Sequence, residues 1–61
     1  MNDYDKIYNL INTYNNEILF NKQQMIKFAL KNAVAYNVAS SKVESYQRVI
    51  KDLQEILDSE D

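Results

Sequence analysis

The sequence predicts an all-α fold: a small three-helix bundle or a helical hairpin, assembling as a homodimer or on a partner chain. Three observations carry this. The 61 residues include no Gly and no Pro, so the chain lacks the strong helix breakers. Its aromatic and β-branched residues recur at three and four rather than at two, the period of a helix face. Asn and Ser are left to punctuate the chain, and several stand where such residues cap helices.

In the first segment Tyr4, Ile7, Tyr8, Ile11, Tyr14 and Ile18 share one face, while Asp5, Asn9, Asn12, Asn16 and Glu17 fall elsewhere. Asn2 or Asp3 suits the N-cap, and the nearby carboxylates meet the positive end of the helix dipole. Across residues 15–24 the register lapses: Leu19 sits at the edge of the stripe and Phe20 points almost opposite to it. Asn21 and Gln24 have capping-box spacing. These features predict a first helix over about 3–19 and a turn near 20–21.

A second helix is expected over about 22–37. Met25, Ile26, Phe28, Ala29, Leu30, Ala33, Val34, Ala35 and Tyr36 cover most of its circumference, leaving a polar strip with Gln24, Lys27 and Lys31. A helix that is apolar nearly all round must be covered on several sides. Met25, Ile26, Phe28, Leu30, Val34 and Tyr36 are therefore the candidate protein-interface residues. Asn32 and Asn37 interrupt this apolar surface, and a buried Asn can fix register or oligomeric state.

Ser41 and Glu44 form the S-x-x-E capping box and predict a third helix over about 41–58, followed by an acidic tail over 58–61. Along it Val43, Tyr46, Ile50, Leu53 and Leu57 step by 3, 4, 3, 4, widened on one side by Val49 and Ile56. The same spacing can be traced back from Val43 through Ala39, Tyr36, Asn32 and Ala29. Residues 22–58 would then be one long bent helix in a two-helix hairpin. The capping box favours three helices over that alternative.

Composition excludes whole classes of chemistry. With no Cys there is no disulfide, thiolate nucleophile or cysteine-ligated metal, and with no His the commonest general base and metal ligand are missing. Without Gly there is no phosphate-cradling loop. Carboxylate pairs such as Asp3/Asp5 and Glu60/Asp61 stand at the chain ends, away from any evident pocket. The expectation is a non-enzymatic protein with no catalytic residue, cofactor or metal. No apolar run reaches the length of a membrane span, and the acidic polar face of the third helix has the wrong sign for anionic lipid. The lack of Cys fits the cytosol. Eight Asn, six Ile, six Lys and five Tyr, all with A/T-rich codons, suggest a low-GC bacterium or one of its phages or plasmids.

A domain of this size buries only about 60% of its unfolded surface and usually gains stability from disulfides, metal or association. Association is what this chain has left. Its charges are segregated: residues 18–43 hold Lys22, Lys27, Lys31 and Lys42 and no acid, whereas residues 52–61 hold Asp52, Glu55, Asp58, Glu60 and Asp61 and no base. Two functional expectations follow. The first is a small regulatory, adaptor or inhibitor protein that binds itself or a target protein through its helices.

The second rests on residues 33–46, which resemble the centre of a DNA-binding helix-turn-helix. Ala33 takes the place of the small residue, Asn37 that of the turn, Val38 the apolar residue after it, and Val43 and Tyr46 the pins of the second helix. The resemblance implies Ser41, Lys42, Ser45, Gln47 and Arg48 as groove-facing residues. Gln and Arg are suited to adenine and guanine edges, though Glu44 and the acidic end would repel phosphate.

Overall fold

The structure, a computed structural model, describes residues 3–59. It is a helical hairpin. Helix α1 spans Asp3–Phe28 and helix α2 spans Ala33–Ser59, joined by residues 29–32. Helices of 26 and 27 residues are each about 40 Å long at 1.5 Å per residue. The molecule measures 46 × 18 × 11 Å, so the two helices lie side by side over nearly their whole length.

Each helix buries one seam. On α1, Ile7, Ile11, Tyr14, Ile18, Asn21, Met25 and Phe28 are buried or half-buried and alternate in steps of four and three. On α2 the seam is Tyr36, Ala39, Val43, Tyr46, Ile50, Leu53 and Leu57. Such spacing keeps one line of side chains facing a partner helix, as in a coiled coil. Tyr14 and Tyr46 meet across the interface with ring centroids 5.4 Å apart. Ile18, Asn21, Ala39 and Val43 are the most deeply buried residues.

The helix boundaries differ from the expected three. At residues 20–21 α1 continues without a break, because Asn21 occupies a seam position in step with Ile18 and Met25. Its side chain does not cap; Nδ2 donates to the Glu17 carbonyl one turn back, at 2.8 Å. The capping box at Ser41 and Glu44 is likewise inside α2, where the seam runs unbroken from Ala39 to Val43. Continuous burial along a helix–helix interface outweighs a local cap worth about 1 kcal/mol. The helix-turn-helix corner is absent for the same reason, since residues 33–46 all lie in α2. Asn37 is helical, and no described residue has positive φ.

The real break falls at residues 29–32, where no turn was expected. The Phe28 carbonyl accepts the backbone N–H groups of Lys31 and Asn32, at 3.1 and 3.0 Å, and so closes α1. Asn32 then opens α2 as its N-cap. Its Oδ1 accepts the Ala35 N–H at 3.0 Å, and its backbone carbonyl accepts the Tyr36 N–H at 3.0 Å. One side chain thus satisfies a donor that the first turn of a helix otherwise leaves free. The apparent all-round apolar helix over residues 22–37 resolves into the end of one helix, a turn and the start of another, each with its own buried line. Asn2, Glu60 and Asp61, assigned above to the first cap and the acidic tail, lie outside the described residues.

Candidate functional site

The hairpin is built with one seam per helix, and apolar side chains off those seams have nothing to cover them. Leu19, Phe20, Ile26, Leu30, Val34 and Val38 are all at least half exposed, and they gather at the turn end of the molecule. The most exposed are Ile26 at 80%, Leu30 at 100% and Val34 at 74%. On α1, Ile26 lies beside seam residue Met25; Leu30 is part of the turn itself; Val34 stands in the first turn of α2, away from Ala35 and Tyr36.

Two grooves flank the helix–helix seam here. On one side Met25 and Ile26 from α1 and Ala29 from the turn meet Tyr36 and Val43 from α2, with Lys22 at the margin, around an open volume of about 410 Å³. On the other side Phe20, Gln24 and Phe28 face Ala35, Val38 and Lys42 across a smaller groove of about 290 Å³, with Asn21 and Ala39 at its floor. A third depression, on the outer surface of α2, is lined by Val34, Asn37, Val38, Ser41 and Lys42. The turn end is therefore apolar on several sides.

Its charge is uniform. Lys22, Lys27, Lys31 and Lys42 all belong to this end, with no acid between residues 18 and 43. The Lys27 ammonium sits 5.3 Å from the centroid of the Phe28 ring, within range of a cation–π contact. The opposite, open end is net acidic, with Asp3, Asp5, Asp52, Glu55 and Asp58 against Lys6 and Lys51.

The expected interface residues divide into two sets. Ile26, Leu30 and Val34 face solvent, whereas Met25, Phe28 and Tyr36 are half-buried between the helices and border the grooves. Leu19 and Val38 belong to the exposed set and were not among the candidates; Phe20, an aromatic suited to anchor an interface, belongs to it too. Phe20 had a signal, since it points away from the Tyr4–Ile18 stripe; that direction marks exposure rather than a turn. Ser41, Lys42, Ser45, Gln47 and Arg48 are exposed on a continuous helix and are not brought to the start of a separate recognition helix. Among the described residues no cluster of His, Cys, Asp or Glu could hold a metal ion, and no helix is long and apolar enough to cross a membrane.

Comparison of the chain with protein-family models, with curated proteins and with solved structures finds no match.

Proposed function

We propose that this protein is a small non-enzymatic regulatory, adaptor or inhibitor module that works by helix-mediated binding to another protein chain, its own copy included. The observation that supports the reading is the concentration of exposed apolar side chains at the turn end, with Ile26, Leu30 and Val34 at its centre. Single exposed apolar residues are ordinary on a protein surface, but six that are at least half exposed at one end of so small a molecule favour an interaction site there. The hairpin serves as a rigid support: the paired seams hold the two helices, and the Asn32 cap presents the turn.

The test is a variant carrying Ile26→Ser, Leu30→Ser and Val34→Ser together. These side chains contribute little to the hairpin's own core, so helicity by circular dichroism is expected to stay close to that of the parent. Chemical cross-linking in the cells that express the protein is expected to yield a defined adduct with the parent and to lose it with the variant. An adduct pattern unchanged by the three substitutions would sink the proposal.

A further inference from the structure

We infer that the chain occupying this surface is a second copy of the same hairpin, lying alongside in the opposite direction so that the basic turn end of each copy meets the acidic open end of the other. The inference rests on the reading of the turn end as an interaction surface and goes further by naming the occupant and its orientation.

Charge is the first argument. The hairpin topology turns a segregated sequence into a bipolar rod. Four lysines and no acid stand between residues 18 and 43, at the turn end. Asp3, Asp5, Asp52, Glu55 and Asp58 stand at the open end and outweigh Lys6 and Lys51 there, leaving that end net acidic. A parallel pair would set like charge against like along both ends. An antiparallel pair sets Lys22, Lys27 and Lys31 beside the partner's carboxylates, an arrangement that also steers encounter. It answers a local oddity as well: α2 has no basic residue in its last turn, so Glu55 and Asp58 oppose its dipole until a neighbour supplies cations.

Apolar surface is the second argument. The open end exposes Tyr4, Tyr8, Leu10 and Ile56, which in an antiparallel pair lie level with the partner's Ile26, Leu30 and Val34. Both ends therefore offer apolar area where they offer opposite charge.

Area is the third. The accessible surface is 4793 Å², against about 4,100 Å² for a folded monomer of this mass. The radius of gyration is 14.1 Å, against about 10.5 Å for a compact chain of this length. The excess, roughly 700 Å², reflects the elongated shape, whose long sides leave room for the roughly 800 Å² that each partner loses in a standard interface. Side-by-side pairing of two rods gives a four-helix arrangement in which each hairpin covers apolar surface along one side of the other.

The chain has no cysteine, so single thiols can be placed cleanly. Ala29 and Ser59 are both exposed and stand at opposite ends of the 46 Å rod. Isotope-labelled Ala29→Cys is mixed with unlabelled Ser59→Cys at tens of micromolar and treated with a short bismaleimide. The expected product is the mixed 29–59 adduct, with little self-adduct of either variant. Sedimentation equilibrium is expected to show a dimer that weakens as salt rises. The combination Lys22→Glu, Lys27→Glu and Lys31→Glu is expected to weaken it by roughly tenfold or more, and mixing with Asp52→Lys, Glu55→Lys, Asp58→Lys to restore pairing. Self-adducts at 29–29 and 59–59 would overturn the orientation while leaving the apolar surface as the site of association. A monomer at this concentration, whether free or sedimenting with anionic phospholipid vesicles, would overturn the second copy. In that case the loss of the cellular adduct in the triple Ser variant decides separately whether the interaction surface stands.

Discussion

Tyr14 of α1 and Tyr46 of α2 meet midway along the hairpin with their ring centroids 5.4 Å apart and their planes inclined by 36°. Both residues stand on the seam of their own helix and are half-buried. Such a tilted arrangement is one the ring quadrupoles favour over a face-to-face sandwich, and it links the two helices far from the turn.

Replacing either ring with Ala should therefore cost more than burial alone accounts for. A double-mutant cycle with Tyr14→Ala and Tyr46→Ala, followed by urea unfolding, is expected to give a coupling of about 0.5–1.5 kcal/mol. Additive losses would show that the rings touch without stabilising each other.

Asn32, and not Ser41, opens α2. Asn32→Ala is expected to destabilise the hairpin by about 1 kcal/mol and Asn32→Gly by only a few tenths. Ser41→Ala removes an exposed hydroxyl from a helix interior and is expected to be neutral or slightly stabilising, because Ala has the higher helix propensity. Thermal melts of the three variants check the ordering. A larger loss at Ser41 than at Asn32 would contradict the turn position.

Asn21 is 5% exposed, and its Nδ2 donates to the Glu17 carbonyl, an oxygen that the α-helix already supplies with a backbone donor. Asn21→Leu leaves that carbonyl paired and places apolar volume at a seam position. It is expected to raise stability by roughly 1–2 kcal/mol. The same change should loosen specificity, since a lone polar seam residue selects one pairing among several. Higher oligomers by sedimentation alongside a raised melting temperature is the expected signature; a lowered melting temperature would show that Asn21 is needed for stability itself.

Ile18 and Val43 are two of the few apolar residues buried in the hairpin. Ile18→Ala is expected to cost about 2–4 kcal/mol, a large share of the roughly 3–9 kcal/mol available to a domain of this size. Circular dichroism at room temperature should show substantial loss of helix for this variant. The Ile26→Ala variant, altered at a mostly solvated side chain, should stay within about 0.5 kcal/mol of the parent as a monomer.

Helix, the two seams and the charge segregation were legible in the residues. The 3-4 steps from Ile7 to Ile18 and from Val43 to Leu57 are local patterns, and each survives as a buried line. Both misplaced turns came from reading local caps as boundaries. Asn21 with Gln24 and Ser41 with Glu44 have the right spacing, yet each lies where the seam on its helix runs through without interruption. The long trace back from Val43 through Ala39, Tyr36, Asn32 and Ala29 passes through the Ser41 box and argues against a turn there. It runs on past Asn32, the residue that does cap α2, and so does not mark the reversal.

With neither Gly, Pro, Cys nor His, the sequence alone determined that the chain is helical, unstapled and amphipathic, because those properties follow from composition and nearest-turn spacing. Only the tertiary structure decided where the chain reverses. A cap contributes about 1 kcal/mol wherever it occurs, whereas antiparallel pairing of two complete seams depends on residues such as Tyr14 and Tyr46 that are distant in sequence. That reversal in turn set which apolar residues are core and which remain exposed. Met25, Phe28 and Tyr36 went inward, and Ile26, Leu30 and Val34 were left at the tip.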